Sequence, residues 1–377
     1  AIVLGMLALT WGGGRYEWNS PQLISMFALS AFSLLVFIWV ESRAKEAIMP
    51  LSLFRNRVFV TANMSSFVIG MAFLGVVMFM PLFMQVVLGV NATNSGFSMF
   101  PLMLGLMTSS ILSGRLVSKG MNYKMFISGG AGLLIVGVFL LGGIGPDTTL
   151  TGLAWRMVIV GLALGPSQSL VNLVVQAAFP PSQIGVATSS TQFFRQIGNT
   201  VGVAIFGTLL TLNLTAELPR QLPMMVSAGG TAFDMSQAQS SAMNPGALRA
   251  QIEGSFEEML ATLEQGYAGD VAAITRVQEN PLLPAQLKEQ MPTSPEAALS
   301  EADIAQRMTV IRGLLIARVD ETVSTIESGI RLAFSNAITA MFTTSLWIIM
   351  LGFVLSLFIP LIPLQQSVPK ETEPTAA

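Results

Sequence analysis

The chain holds eight separate apolar stretches, and they restrict its fold more than any other feature. A helix that spans a bilayer needs about 20 predominantly apolar residues. Inside lipid the backbone must satisfy its own hydrogen bonds, and the stretches lack the two-residue alternation of a membrane barrel, so helices are predicted. The stretches cover residues 1–10, 21–40, 58–90, 96–117, 125–144, 150–179, 184–214 and 332–362. The sequence therefore predicts an all-α, multi-pass membrane protein.

The composition suits a chain embedded in lipid and excludes several kinds of chemistry. Charged residues make up 11% of the sequence, whereas soluble proteins average about 25%. Neither cysteine nor histidine occurs, which excludes disulfides and thiolate metal sites and removes the commonest general base. We therefore expect no metal, no cofactor and no enzymatic activity. A net charge of −2 gives no reason to expect a nucleic-acid partner.

The first stretch is shorter than a membrane span and begins at Ala1. One interpretation is the core of a signal peptide, but the basic segment and the small-residue cleavage site of such peptides are missing. The other is the second half of a membrane helix that begins upstream. We favour the second interpretation and expect the chain to be a fragment of a longer protein.

Basic residues predict the orientation of the helices, because short cytoplasmic loops are enriched in Lys and Arg. The loops after the second and fourth stretches contain Arg43, Lys45, Arg55, Arg57, Arg115, Lys119 and Lys124. By contrast, residues 89–95 carry no charge and residues 143–149 carry only Asp147. The two basic loops are therefore predicted to be cytoplasmic. Eight crossings place both ends of the chain on the same side.

The long polar insert before the last stretch, residues 215–331, is predicted to be external and largely helical. Up to Ile330 it holds seven basic and fifteen acidic residues. Residues 247–265 and 301–331 show helix-like apolar spacing, and the second of these segments is expected to continue into the last stretch. A structural cap and a partner-binding surface are both open as roles for the insert.

The polar run SGRLVSKGMNYK joins the fourth and fifth stretches. Gly114 and Gly120 permit a tight turn and close helix approach, while Arg115, Lys119 and Lys124 would hold the turn at the cytoplasmic interface. An ordinary basic loop would have the same features. The residues alone leave open whether this loop takes part in a conformational change.

This run resembles the loop motif of the major facilitator superfamily, Gly-x-Leu-x-Asp-x-x-Gly-x-(Arg/Lys)-(Arg/Lys). Gly114, Leu116, Gly120 and Lys124 lie near that pattern, and Ser118 stands at its acidic position. Two further runs, MPLSLFRNRVF and GVATSSTQFFRQIGNTVGVAIFGTLL, look like the 14-helix drug:proton antiporters of the EmrB/QacA type. The second run is similar to the penultimate helix of that branch.

The resemblance implies a division of the chain. Two inserted helices would occupy residues 1–41, with the first one truncated, and a cytoplasmic linker residues 42–57. The C-terminal six-helix bundle would take five helices from residues 58–214 and its last helix from residues 332–363. The external insert, residues 215–331, separates these parts, and residues 364–377 form a cytoplasmic tail. The six-helix N-terminal half would be absent.

The penultimate helix carries small and polar residues at helical spacing. Gly198 and Gly202 are four residues apart, so they share a face and permit close packing. Arg195 lies inside the apolar stretch, where a charge must face protein, water or the interface. Gln196 and Asn199 lie nearby. Polar contact between helices and a role in substrate binding or gating are both open for this group.

The third and sixth stretches are the candidates for the wall of a substrate cavity. The third stretch carries Asn63, Phe67, Met71 and Met78. The sixth carries Gln168, Asn172 and Gln176 at four-residue spacing, so one of its helical faces is polar. A polar stripe in a membrane helix faces inward, and Met and Phe form a wall suited to varied apolar ligands. The resemblance also implies cavity-lining positions here, but plain packing or lipid contact remains the alternative.

The leading functional hypothesis is multidrug efflux. Small amphipathic or cationic compounds would be exported by proton-coupled alternating access from the inner membrane of a bacterium. Whether a membrane-fusion partner takes part, as in some relatives of the EmrB type, is open. No Asp or Glu lies deep in any stretch, so the proton site is expected in the absent half, and this chain alone is not expected to transport. The alternative is a non-transporting membrane protein that presents its insert to a partner.

Overall fold

The computed structural model describes residues 2–12, 16, 19–43, 49–221, 245–279 and 300–363. These residues divide into two compact units, one within residues 1–213 and 335–377 and the other within residues 214–334. Helices form nearly all of both units, and β-structure in the described ranges is limited to an isolated bridge between Gly12 and Tyr16. The predicted all-α membrane fold is confirmed.

Eleven α-helices lie in the described parts of the chain. In order they are α1 (Ile2–Trp11), α2 (Pro21–Glu41), α3 (Arg57–Val86), α4 (Ala92–Phe97), α5 (Phe100–Ser118), α6 (Tyr123–Leu141), α7 (Leu150–Ala177), α8 (Ile184–Gln221), α9 (Pro245–Tyr267), α10 (Val271–Glu279) and α11 (Glu301–Leu357).

Seven of the described helical segments, not eight, are long and apolar enough to cross a membrane. The prediction of eight crossings counted the first stretch, but α1 has only 10 residues, and a span needs about 20. The fourth stretch is divided at Met99 between α4 and α5. Helix α8 continues to Gln221, beyond the predicted end at residue 214, because hydropathy marks the lipid boundary and a helix can continue past it.

Side-chain oxygens fix where several helices begin. The first-turn backbone N–H groups have no partner within the helix, and a polar residue just before the helix can accept a hydrogen bond from one of them. The residues that do so are Ser20, Asn56, Asn91, Asn122 and Thr149.

Helix α7 is the centre of the first unit and packs against α3, α5 and α6. Its contact with α5 is very close, since a Cβ at Gly161 would lie 2.1 Å from the carbonyl oxygen of Leu102. Lipid supplies no hydrophobic drive for association between helices, so such small-residue contacts gain their energy from close van der Waals packing. Helix α2 is different: it packs chiefly on α1, and its apolar side chains from Leu29 to Val40 are mostly exposed.

One end of the first unit is closed by a buried apolar cluster. It includes Phe59, Ile127, Val171 and Ile359. Within it the hydroxyl of Tyr123 donates a hydrogen bond to the carbonyl oxygen of Pro360 at 2.6 Å and accepts one from the backbone N–H of Ile362 at 2.8 Å. The start of α6 is thereby tied to the segment that follows α11.

The second unit has a core of its own. Helices α9 and α10 pack together, and a buried cluster includes Leu263, Tyr267, Val277 and Ile304, the last from α11. At its surface Arg312 and Glu257 form an ion pair at 3.3 Å. Residues 222–244 and 280–299 of the predicted insert lie outside the described residues.

Candidate functional site

The contact between α3 and α8 is the framework of the candidate site. A Cβ at Gly198 would lie 2.2 Å from the carbonyl oxygen of Phe67, and one at Gly202 would lie 2.4 Å from the Cα of Met71. No side chain fits at either distance, so the backbones of the two helices touch. Phe67 and Met71, both predicted cavity residues, therefore lie where α8 crosses α3, with Phe67 half-buried and Met71 buried.

Gly70 makes room for two polar side chains of α8. A Cβ at this position would lie 2.9 Å from Asn199 Oδ1, 3.1 Å from the carbonyl oxygen of Arg195 and 3.5 Å from Arg195 Cγ. The aliphatic stem of Arg195 therefore passes directly over the backbone of α3. Gly70 is not among the residues predicted for the site, although it follows Asn63 by seven residues and so lies on the same helical face.

The guanidinium group of Arg195 extends from α8 to α7. Its Nη1 donates a hydrogen bond to the backbone carbonyl oxygen of Gln168 at 3.4 Å, and its Nη2 donates to the side-chain oxygen of Gln192. The amide nitrogen of Asn172 donates to the same Gln168 carbonyl at 3.5 Å. Residues that were predicted as two separate groups, on α7 and on α8, thus share one acceptor.

Arg195 lies deep along its helix. It follows the first residue of α8, Ile184, by eleven positions, which corresponds to about 17 Å at a rise of 1.5 Å per residue. No Asp or Glu occurs between Asp147 and Glu217 or between Glu46 and Asp147, so its neighbours in α3, α7 and most of α8 offer dipoles and no carboxylate. The acidic residue at the end of α2, Glu41, is buried and accepts a hydrogen bond from the backbone N–H of Met49.

Three amide oxygens around these helices have no hydrogen-bond partner in the described part of the chain. They belong to Asn63 on α3, Asn172 on α7 and Asn199 on α8. The Asn63 side chain is buried and its nitrogen donates to the carbonyl oxygen of Phe59 at 2.7 Å. A buried acceptor without a donor costs about 1–3 kcal/mol, so these oxygens are ready to accept hydrogen bonds from a ligand or from water.

Two further polar residues predicted for the site, Gln176 and Gln196, make side-chain hydrogen bonds. The amide nitrogen of Gln176 donates to Thr188 Oγ1 at 3.4 Å and so links α7 to α8. The side-chain oxygen of Gln196 accepts a hydrogen bond from Asn199 at 3.4 Å on an exposed face of α8. Gln196 therefore lies next to Arg195, on the exposed face of α8.

Met78 is the predicted cavity residue that the structure places apart. Its side chain is 58% exposed, and it follows Asn63 on α3 by fifteen residues, about 22 Å along a helix. One small ligand cannot contact both side chains. Residues on one helix are therefore candidates for the same site only when their separation along the helix is also small.

The basic loop between α5 and α6 forms a tight turn. Gly120 has φ +95° and so adopts a left-handed conformation that favours glycine. Among the described residues nothing lies within 4 Å of the Cβ position at Gly114. Arg115 is exposed and Lys124 partly exposed. Ion pairs within the described residues join Arg220 to Glu217 and Arg312 to Glu257, and neither involves this loop.

In the described ranges no group of three His, Cys, Asp or Glu residues could hold a metal ion. The arrangement on α3, α7 and α8 offers hydrogen-bonding groups and one positive charge. Its parts are one guanidinium group, several amides and an apolar surround within membrane-spanning helices.

Comparison with known proteins relates the chain to a large group of membrane transporters. The family model described as Major Facilitator Superfamily matches residues 1–203. The chain is 38% identical over 209 residues to the "Multidrug transporter protein MdtP" of Bacillus subtilis, covering 55% of this chain and 38% of that protein. It is 34% identical over 205 residues to the "Tetracycline resistance determinant" of Streptomyces rimosus, covering 54% of this chain and 58% of that protein.

A second protein of Bacillus subtilis, "Multidrug resistance protein 3", is 34% identical over 231 residues, covering 61% of this chain and 45% of that protein. The chain thus spans about half the length, or less, of the relatives it matches. The family match includes every residue of the candidate site from Asn63 to Gly202.

Proposed function

This chain belongs to the major facilitator superfamily, and from that premise we propose that it is the C-terminal part of a multidrug efflux transporter driven by the proton gradient. The observation that carries the proposal is the polar group around Arg195, which joins α7 to α8 beside α3, three helices of membrane-spanning character. Polar and charged side chains are expensive in a membrane and mark substrate or ion pathways.

The cargo we propose is small and amphipathic. Relatives named as multidrug and tetracycline resistance proteins support this class. Phe67 and Met71 supply adaptable apolar surface, and Gln168, Asn172 and Asn199 supply hydrogen-bonding groups beside it. No acidic residue occurs between Asp147 and Glu217. This part of the protein therefore offers no carboxylate that would favour cations.

Proton coupling needs a group that gains and loses a proton within the membrane. The long acid-free segments on either side of Asp147 leave no carboxylate deep in α3, α5, α6 or α7. We therefore propose that the coupling carboxylates lie in an N-terminal half outside this chain, which spans less than half the length of two of its relatives. The substrate cavity would form between the two halves, and alternating access would open it to each side in turn.

The orientation proposed from the basic loops places the loops after α2 and α5 and the C-terminal end of the chain in the cytoplasm, and residues 215–331 outside, in the inner membrane of a bacterium. The lack of cysteine makes this directly testable by single-cysteine labelling in intact cells. A cysteine at the exposed Ser118 should resist an impermeant maleimide, and one at the exposed Asp147 should react. The opposite labelling pattern would invert the topology.

Efflux is the direct test. The complete reading frame that encodes this chain is expressed in a bacterial strain lacking its own efflux pumps, and the loss of a preloaded fluorescent dye is followed. We expect export that a protonophore abolishes. Dye retention equal to that of an empty vector would refute the proposal, and export by the isolated 377-residue chain would refute its assignment as half of a transporter.

A second role is supported by the separate core of the unit within residues 214–334. That unit would present a docking surface, for example to a membrane-fusion partner. Deleting residues 221–295 from the complete protein separates the alternatives. Intact efflux with loss of a co-purified partner indicates docking, and loss of efflux indicates that the insert shapes the transport pathway.

A further inference from the structure

The strongest unassigned feature of the described chain is the charge of Arg195, because nothing acidic in the neighbouring helices balances it. Its recorded partners are the Gln168 carbonyl and the Gln192 amide oxygen. Both are neutral, so the cationic charge is solvated only by dipoles. A guanidinium group has five N–H donors, and these two bonds leave part of that capacity unused.

The surroundings give this charge an opening toward a ligand. Arg195 is half-buried, while Gln192 and Gln196 on the same side of α8 are exposed. The opposite side of α8 is closed by its contact with α3 at Gly198 and Gly202. A polar exposed face that lies this deep along a membrane helix faces water or protein and not lipid.

A hydrogen-bond acceptor lies within reach of the same ligand. Asn172 and Arg195 each donate to the Gln168 carbonyl oxygen, so the two side chains lie side by side. The Oδ1 atom of Asn172 is buried and has no donor among the described residues. The pair therefore offers cationic donors at Arg195 and a free acceptor at Asn172.

We propose that Arg195 and Asn172 form a specificity subsite for compounds that carry an acidic oxygen, such as a carboxylate, phenolate or enolate, beside a hydroxyl or N–H group. Arg195 binds the acidic oxygen by charge-assisted hydrogen bonds, and Asn172 Oδ1 accepts from the neighbouring donor. The subsite rests on the proposed efflux function and narrows its cargo, since equally amphipathic cations are repelled by the guanidinium group.

The test compares two dyes with the same xanthene ring system, anionic fluorescein and cationic tetramethylrhodamine methyl ester, in cells that express the complete reading frame. Variants are Arg195→Gln, Arg195→Lys and, as matched control, Arg156→Gln. Arg156 is the other arginine of α7 and α8 within residues 150–216, and it packs over the ring of Trp155 at 5.3 Å, away from the Gln168 carbonyl. Membrane levels of each variant are measured by in-gel fluorescence of a C-terminal tag.

We expect Arg195→Gln to lower the export rate of fluorescein by about tenfold or more, in keeping with the strength of charged hydrogen bonds. Rhodamine export should stay unchanged or rise, because the charge that repels the cation has been removed. Arg195→Lys should keep intermediate fluorescein export because the charge remains without the planar fork. Arg156→Gln should leave the ratio of the two rates unchanged. Asn172→Leu should lower fluorescein export in the same direction.

Other outcomes overturn the subsite. An equal loss of both dyes in Arg195→Gln would assign Arg195 to holding α7 and α8 together. Rhodamine export by the wild type without fluorescein export would refute the preference while the proposed function stands. Export of neither dye by the wild type would remove the proposed function itself.

Discussion

The Cβ position of Gly198 lies 2.2 Å from the carbonyl oxygen of Phe67, so α8 and α3 meet backbone to backbone. In lipid, such a contact gains dispersion energy and weak Cα–H···O bonds that larger side chains would prevent. The contact fixes the depth at which Arg195 is held, three residues before Gly198 on α8.

Gly198→Ala should therefore destabilise the protein, because an added methyl group cannot be accommodated without separating the helices. Overpacking of this kind costs about 1–3 kcal/mol. The detergent-solubilised protein should show a lower midpoint of thermal unfolding, measured by tryptophan fluorescence. Gly185→Ala on the same helix is the matched control, since nothing lies within 4 Å of its Cβ position. Equal midpoints for the two variants would contradict the close contact.

Gly70→Ala should impair export more than it impairs folding. The new Cβ would lie 2.9 Å from Asn199 Oδ1 and 3.1 Å from the carbonyl oxygen of Arg195, so the Asn199 side chain must shift away from α3 and the backbone of α8 at Arg195 must move slightly with it. We expect a several-fold lower export rate at normal membrane levels, read from the dye assay. Gly207→Ala, whose Cβ would meet only Phe79 Cζ at 3.9 Å, should transport normally. Normal export by Gly70→Ala would show that the position of Arg195 does not matter.

Tyr123→Phe should release the segment after α11. The hydroxyl group makes two hydrogen bonds, at 2.6 Å and 2.8 Å, and losing a buried hydrogen bond costs about 1 kcal/mol. Because the chain has no cysteine, a cysteine at the fully buried Ile359 reports opening through its rate of maleimide labelling. That rate should rise in the Tyr123→Phe background. A cysteine at Leu361, 59% exposed, should react equally in both backgrounds.

Leu263→Ala should unfold the second unit, because Leu263 is fully buried in its core. Large-to-small changes at such positions cost about 2–5 kcal/mol. Limited proteolysis of the membrane-embedded protein should then cleave within residues 245–279 at a lower protease concentration. Arg312→Gln should leave the cleavage pattern unchanged, since exposed ion pairs such as Arg312–Glu257 contribute about 0–1 kcal/mol. Resistance of Leu263→Ala would argue against a packed core.

The sequence was sufficient for the fold class, because the length of an apolar stretch is set by the bilayer and needs no tertiary information. It also placed Gly198 and Gly202 on one face. It could not say that Phe67 and Met71 are their partners, since the choice of neighbouring helix depends on how the whole bundle packs. Gly70 was missed for the same reason: a glycine shows its role only when the helix opposite it is known.

The candidate site was recognised in parts. The spacing of Gln168, Asn172 and Gln176 indicated a polar face on α7, and Arg195 stood out as a charge inside an apolar stretch. Their meeting at one carbonyl oxygen depends on the relative rotation of α7 and α8, which no pattern within either helix contains. Met78 is a different case, because its fifteen-residue distance from Asn63 along α3 can be read from the sequence and already places the two side chains about 22 Å apart.

Helix α2 shows what a helix requires when almost nothing packs against it. Its side chains from Leu29 to Val40 are mostly exposed and it packs on α1. These positions therefore require hydrophobicity and not a particular side-chain shape. Exchanges among Leu, Ile, Val and Phe in α2 should have little effect on stability. The same exchanges on the packed faces of α7 should destabilise the protein, because there is no room at Gly161 even for a methyl group. In related proteins the sequence of α2 should therefore vary while its hydrophobicity is kept. The packed faces of α7 should be conserved almost residue by residue.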